Sequence, residues 1–127
     1  MHPEIAEAIA PVLRDISATC GVELDVRDEQ WGYDGPAVMV WEPDGSGTGV
    51  AVVAGQPSSE QIASLADQLQ EVVIEALWSA RRPVTWPQCP SHPDSHPLEA
   101  AVVDARAVWR CPKSGVVIDG VGALRRR

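Results

Sequence analysis

Two cysteines and two histidines in the C-terminal third of the chain are the residues best suited to chemistry. They are Cys89, His92, His96 and Cys111, and they follow the spacing Cys-x2-His-x3-His-x14-Cys. Two thiolates and two imidazoles form the ligand set that Zn²⁺ prefers in closed tetrahedral sites. The sequence therefore predicts one structural zinc ion bound by these four side chains.

Two other interpretations of these residues stay open. A catalytic zinc ion normally keeps three protein ligands and an open position. Cys89, His92 and Cys111 with a water would form such a site, in which His96 or Glu99 serves as the base. Because the His-Glu-x-x-His motif and the deaminase motif are both absent, a zinc hydrolase is kept only as the alternative to a structural site. In the other interpretation, the cysteines are ordinary residues and the histidines belong to a loop.

The chain around each cysteine has the form of a zinc knuckle, a tight turn whose backbone N–H groups face the thiolate. The first runs from Cys89 to His92 (Cys-Pro-Ser-His) and the second from Cys111 to Gly115 (Cys-Pro-Lys-Ser-Gly). Residues 84–120 resemble zinc ribbons, which pair two knuckles on a small β-hairpin. The first turn departs from them by ending in His instead of Cys. The second has Ser114 in place of the last cysteine, so His96 is expected to supply the fourth ligand.

A closer likeness rests on three short motifs. They are Trp-Pro-x-Cys-Pro-x-His from Trp86, His-Pro-Leu from His96 and Trp-x-Cys-Pro from Trp109. Together they resemble a recurrent signature of small uncharacterised proteins from high-GC bacteria, which implies a bacterial origin and no particular activity. Trp86 and Trp109 each precede a ligand cysteine, and we expect their rings to wall the site and exclude water.

The segment between the ligands predicts a platform that brings them together. Ala100 to Val103 and Ala107 to Trp109 form a hairpin around a turn at Asp104 and Ala105, and Val116 to Ile118 can add a third strand. Prolines at positions 83, 87, 90, 93 and 97 hold the preceding loop extended, so that less entropy is lost when it is ordered. The C-terminal third is expected to need its metal in order to fold.

The first 82 residues predict a helix, three strands and a second helix. Apolar residues at helical spacing favour a helix over residues 3–18, in which Pro11 forces either a kink or a break into two short helices. Three apolar runs predict an antiparallel meander, namely Val22 to Val26, Ala37 to Trp41 and Val50 to Ala54. The glycine-rich residues 45–49 are expected to lie in a hairpin turn of this meander.

The second helix is the longest predicted element, and its apolar stripe is expected to lie across the meander. Ser58 and Gln61 form a capping box at its start, Arg81 and Arg82 suit its C-terminal end, and Pro83 stops it. The α-β-β-β-α order resembles double-stranded RNA-binding domains in topology alone, because this helix lacks their lysine cluster. It also resembles the front half of secretion-chaperone-like folds, which are small acidic dimers that bind other proteins.

The charge of the chain argues against nucleic acid as a partner. A formal net charge of -8 over 127 residues repels phosphate. No apolar run approaches the roughly 20 residues of a membrane span, and no signal peptide is recognised. Three cysteines without a disulfide framework favour a reducing, cytoplasmic location. Cys20 lies far from the other two and is expected to be a buried structural residue.

These observations predict a single α+β domain, with an αβββα part in residues 1–82 and a zinc-ribbon-like β part in residues 83–127. The predicted function is a non-catalytic module that binds another protein and is stabilised by one structural Zn²⁺. The partner is expected to be a different protein, or a second copy of the chain in a homodimer. The alternatives are a zinc-dependent hydrolase and a weak nucleic-acid binder that uses Arg106, Arg110, Lys113 and the tail Arg125 to Arg127.

Overall fold

Two helices and two three-stranded antiparallel sheets form the fold in the computed structural model, which describes residues 1–126. The mixed α+β class is therefore confirmed. The elements follow the order α1 (Pro3–Thr19), β1 (Asp25–Arg27), β2 (Ala37–Trp41), β3 (Gly47–Ala51), α2 (Ser58–Ser79), β4 (Glu99–Val103), β5 (Arg106–Arg110) and β6 (Val117–Gly120). Arg127, the last residue of the basic tail, lies outside the described residues.

Helix α1 is continuous through Pro11, so of the two alternatives left open by the sequence, the break into two short helices is wrong. A proline inside a helix costs roughly 3 kcal/mol. Each isoleucine or valine that the helix buries contributes about 1.5–3 kcal/mol, and the helix buries Ile5, Ile9, Val12 and Ile16. The packing therefore outweighs the lost backbone hydrogen bond. The helix ends where Gly21 adopts a positive φ of 65°, a conformation that glycine reaches without strain.

The first sheet has the order β1-β2-β3, and the predicted meander is confirmed with β2 in its centre. Strand β3 begins at Gly47 instead of Val50, so the prediction that residues 47–49 belong to the turn is wrong. Two tryptophan rings explain the difference, because they cover the glycines of this strand. A Cβ at Gly47 would lie 2.7 Å from the ring of Trp41, and the ring of Trp31 covers Gly49 in the same way.

Helix α2 contains 22 residues and is the longest element, as predicted, but its ends are built differently from the prediction. Pro57 is the N-cap and no side chain caps the helix, so the predicted capping box is wrong. Gln61 instead donates to the Glu4 carboxylate and to the Val53 carbonyl. At the other end, the Arg82 guanidinium donates over 2.7 Å to the carbonyl of Cys20, where α1 ends. Arg82 thus serves the C-terminus of α1 and not that of α2.

The apolar face of α2 packs against α1, against the edge strand β3, and against β4 and β5 of the second sheet. The helix therefore lies between the two sheets and does not cover the meander alone. Buried residues of both parts of the chain join in one core, which includes Cys20 as predicted. Among the described residues, no helix is long and apolar enough to cross a membrane.

Candidate metal centre

The structure brings all four predicted ligands together. One ligand atom from each of Cys89, His92, His96 and Cys111 lies within 4.8 Å of each of the others. Both sulfur atoms lie 3.6 Å from Nδ1 of His92, and the Cys111 sulfur lies 4.0 Å from Nε2 of His96. Both cysteines are buried and both histidines are half-buried. The four side chains therefore form a group that can hold a metal ion.

Two of the distances within the group match those of tetrahedral coordination. Metal–sulfur bonds of about 2.3 Å and metal–nitrogen bonds of about 2.0–2.1 Å, at tetrahedral angles, place sulfur and nitrogen about 3.6 Å apart. This value agrees with the distance from the His92 nitrogen to each cysteine sulfur. The separation between Cys111 and His96 is slightly longer. No disulfide joins the two cysteines, so both sulfurs are free to bind a metal.

The first ligand loop is closed at its base by backbone pairing. Gln88 and Pro97 form an isolated antiparallel bridge, and the Leu98 N–H donates to the Pro87 carbonyl over 2.8 Å. Inside the loop, the His92 N–H donates to the Cys89 carbonyl over 3.1 Å, which makes a tight turn between the first two ligands. These contacts hold the loop in a shape that returns His96 toward Cys89.

Gln70 on α2 ties both ends of this loop to the core. Its side-chain amide donates to the carbonyls of Trp86 over 3.0 Å and of Leu98 over 2.7 Å. The residue is buried on the packed face of the helix, between Leu69 and Val73. This role of Gln70 was not predicted from the sequence. The available signal was a glutamine at a position where the helical pattern calls for an apolar residue.

The second ligand loop connects β5 to β6 and presents Cys111 at its start. The Cys111 N–H donates to the Val116 carbonyl over 2.9 Å, and the Gly115 N–H donates to the Cys111 carbonyl over 2.8 Å. Gly115 has a φ of 76°, a conformation that glycine adopts without strain. The predicted hairpin is confirmed beneath this loop, with Asp104 and Ala105 at positive φ in its two-residue turn.

The surroundings of Cys111 favour its thiolate, which is the form that binds metal. A hydrogen bond from the Ser114 hydroxyl, with others from the backbone N–H groups of Ser114 and Lys113, lowers the pKa of Cys111 to about 6. Burial acts in the opposite direction and is outweighed. The contribution of Ser114 is therefore to stabilise the neighbouring thiolate.

The orientation of His96 is consistent with binding through Nε2. Its Nδ1 lies 3.0 Å from the Pro97 carbonyl, which can only accept a hydrogen bond. Nδ1 is therefore the protonated nitrogen, and Nε2 carries the free lone pair on the side of Cys111. A carbonyl partner of this kind fixes both the tautomer and the ring orientation of a metal-binding histidine.

Trp86 and Trp109 connect the metal-binding part to helix α1. Both are buried, and their rings meet edge to face at 5.6 Å. The Trp86 indole N–H donates to the Thr19 hydroxyl and the Trp109 indole N–H donates to the Asp15 carboxylate, each over 2.8 Å. These bonds assign the tryptophans an anchoring role. That the rings of Trp86 and Trp109 also exclude water from a bound metal ion stays a prediction.

Asp15 is a second residue that sequence analysis missed. It is fully buried on the packed face of α1 and also accepts hydrogen bonds from the N–H groups of Gly122 and Leu124. Burial raises the pKa of this carboxyl, while the three hydrogen bonds act to lower it. One aspartate thus ties α1 both to strand β5 and to the C-terminal segment.

The residues proposed for a zinc hydrolase or for nucleic-acid binding have other contacts in the structure. Glu99, the candidate base, accepts from the Arg110 guanidinium over 2.8 Å. Arg125 and Arg126 line a cavity of about 440 Å³ together with Arg82, near Trp86 and Pro90.

Comparisons with protein-family models, with curated proteins and with solved structures gave no match to this chain.

Proposed function

We propose that this protein is a non-catalytic module that binds another protein and is stabilised by one structural Zn²⁺. Cys89, His92, His96 and Cys111 would hold the ion. The observation that carries the proposal is the convergence of four ligand atoms within 4.8 Å, although Cys111 is distant from the others in sequence. Two sulfur and two nitrogen ligands suit Zn²⁺ better than the hard cations, which prefer oxygen.

A structural role is favoured over a catalytic one because the ligand set is complete. Four protein ligands leave no position for water or substrate, whereas catalytic zinc normally keeps one open. The carboxylate that would act as a base, Glu99, is engaged with Arg110. The metal would instead join the loop before β4 to the loop after β5. The likeness to zinc ribbons supports the same role, since both loops lie at one end of an antiparallel sheet.

A protein partner is supported by aromatic side chains that the fold leaves on its surface. Trp78 on α2 is 74% exposed, and Trp31 and Tyr33 stack at 5.6 Å while remaining partly exposed. Tryptophan and tyrosine are enriched at protein interfaces, where they supply large contact area at low entropic cost. The formal net charge of -8 argues against nucleic acid.

The metal assignment is tested by the zinc content of the purified protein. We expect about one zinc per chain after purification under reducing conditions, and a large loss in Cys89→Ser and Cys111→Ser. Cys20→Ser is the matched control, because Cys20 is also buried but lies outside the ligand group. Wild-type protein without stoichiometric metal, or equal loss in the Cys20 variant, would contradict the proposal.

The binding role is tested separately with Trp78→Ala and Trp31→Ala, which leave the ligands intact. Sedimentation first establishes whether the chain associates with itself. Chemical crosslinking in cells then identifies neighbouring proteins, and the interaction is repeated with purified components. We expect at least one alanine variant to weaken that interaction tenfold or more while retaining zinc. A partner that binds wild type and both variants equally would remove these surfaces from the proposal.

A further inference from the structure

The cavity of about 440 Å³ beside the first ligand loop has an apolar floor that belongs to the core. Leu77 on α2, Trp86 and Leu124 line this floor, and each of them is at most 7% exposed. Because they come from three distant parts of the chain and join the shared core, the cavity is a recess of the folded structure. Its volume lies within the range of about 300–1,000 Å³ that is typical of small-molecule sites.

The rim of this cavity is basic, although the chain as a whole is acidic. Arg82, Arg125 and Arg126 line it, whereas none of its described lining residues is Asp or Glu. All three arginines are exposed, and within residues 1–126 no carboxylate forms an ion pair with any of them. Asp94, next to the lining residue Pro93, accepts a hydrogen bond from Gln88 instead. Three cations without partners therefore favour an anion at this rim.

Two of these charges lie near a single residue of the cavity, Cys20. The Arg82 guanidinium donates over 2.7 Å to the Cys20 carbonyl, which holds it in place. A guanidinium has five N–H donors, so others remain for a ligand. Burial raises the pKa of the Cys20 thiol, while the charges of Arg82 and Arg126 act to lower it. Both guanidinium groups are therefore close enough to this thiol to act on it together.

Proline rings form the walls of the cavity. Pro83, Pro90 and Pro93 line it and are exposed, so their apolar surface is accessible. Pro90 and Pro93 belong to the first ligand loop, which the bridge between Gln88 and Pro97 closes at its base. Since proline fixes its own φ, these walls lose little conformational freedom when a ligand binds.

We propose that this cavity binds a small amphiphilic oxyanion, consisting of a carboxylate or phosphate head on a short aliphatic body. Guanidinium groups bind either head through paired N–H donors, and the body would lie against the proline rings. The arginines and the exposed prolines already face solvent, so the contact requires no opening of the core. None of the four candidate metal ligands lines the cavity, and the proposal is therefore independent of the zinc assignment.

The direct test is calorimetric titration with octanoate at pH 7.5 and low ionic strength. We expect saturable binding to wild type and a roughly tenfold or greater loss of affinity in the double variant Arg125→Gln/Arg126→Gln. Both arginines are exposed and make no side-chain hydrogen bond to a described residue, so the fold should be retained. No saturable binding to wild type would overturn the proposal.

The matched control is the double variant Arg106→Gln/Lys113→Gln. It removes the same charge from two exposed residues that line no part of the cavity, and it should bind octanoate as wild type does. n-Octanol, which has the aliphatic body without the charge, should not compete. Equal losses in the two double variants would show that net charge and not this rim attracts the anion, which would also overturn the proposal.

A second measurement uses wild type alone and so does not depend on the folding of a variant. The chain contains five tryptophans, whose indole N–H resonances can be followed by NMR. Octanoate should shift the resonance of Trp86, which lines the cavity, with the affinity found by calorimetry. The resonance of Trp31, whose ring lies over β3, should not move. A Trp86 resonance that stays unchanged during saturable binding would place the anion elsewhere and contradict the proposal.

The head group of the ligand is distinguished by comparing octanoate with octyl phosphate. The two probes share one aliphatic body and differ in the oxyanion. Tighter binding of octanoate would support a carboxylate as the natural head, and tighter binding of octyl phosphate would support a phosphate ester. In either case the double variant Arg125→Gln/Arg126→Gln should weaken binding of the preferred probe, and an unchanged affinity would contradict the role of these arginines.

Discussion

The indole N–H of Trp109 donates to the Asp15 carboxylate over 2.8 Å, although the two residues are 94 positions apart in the chain. Trp109 lies on β5 two residues before the ligand Cys111, and Asp15 lies on the first helix. The bond is fully buried. The position of the second ligand loop is therefore coupled to the N-terminal helix through one polar contact inside the core.

Replacing Asp15 should destabilise the protein strongly. Asp15→Ala would leave the Trp109 indole N–H and the N–H groups of Gly122 and Leu124 without their acceptor. A buried donor left unsatisfied costs about 1–3 kcal/mol, so a loss of at least about 3 kcal/mol is expected. Urea unfolding measures it, with the exposed Asp67→Ala as the control. Equal stabilities of the two variants would contradict the role assigned to Asp15.

Gln70→Ala should weaken metal binding without removing a ligand. The substitution releases both ends of the first ligand loop, since Gln70 binds the Trp86 and Leu98 carbonyls. Supporting residues of this kind typically change metal affinity by about 10–100-fold, and we expect roughly a tenfold loss. Competition with a chromophoric chelator gives the affinity.

Gln68→Ala is the matched control for that experiment. Gln68 lies on the same helix, but its side chain binds the backbone of Ala51 on β3, away from the ligand loops. Its removal should lower stability while leaving the metal affinity unchanged. If both glutamine variants lose affinity to the same extent, general destabilisation and not loop positioning explains the effect.

The parts of the fold that sequence analysis predicted best are those determined by local pattern. Strand β2 matches the predicted run Ala37 to Trp41 at both ends. Its ends were predictable because this continuous apolar run has turn residues on both sides. The hairpin of β4 and β5 follows from alternation around a two-residue turn. The ligand group was found because cysteine and histidine at this spacing have few other uses.

The parts that were missed depend on residues distant in sequence. From sequence alone, Gly47 and Gly49 are typical turn residues. In the structure they lie in a strand, where the rings of Trp41 and Trp31 cover them. Gln61 fits a capping box locally, yet Glu4 of the other helix takes its amide. Arg82 follows α2 in sequence but lies near the end of α1 in space. In each case a tertiary contact competes with the local one, and sequence spacing alone does not reveal which is formed.

Stability should decrease as pH rises through neutrality because of Glu42. Burial raises its pKa from 4.5 to about 7 in the folded state, so between these values the folded state binds more protons than the unfolded state. The unfolding free energy therefore falls with rising pH across that window. Glu42→Gln should remove this contribution and be more stable than wild type at pH 8, by on the order of 1–3 kcal/mol. The difference between the two proteins, measured by urea unfolding from pH 5.5 to 8, isolates Glu42 from metal-linked protonation, and a difference that does not change with pH would contradict it.

Removal of the metal should loosen the ligand loops before it unfolds the remaining structure. The loops at residues 88–97 and 111–116 place only their ligand cysteines, Cys89 and Cys111, in the shared core, whereas β2 and β3 place valines there. Metal binding in small β-structures supplies folding free energy directly, so its loss falls first on the segments that it joins. With a chelator, amide hydrogen exchange should accelerate at least tenfold in these two loops and much less in β2. Restoration of protection by added zinc is the control, and uniform acceleration throughout both sheets would show instead that the metal stabilises the whole fold as one cooperative unit.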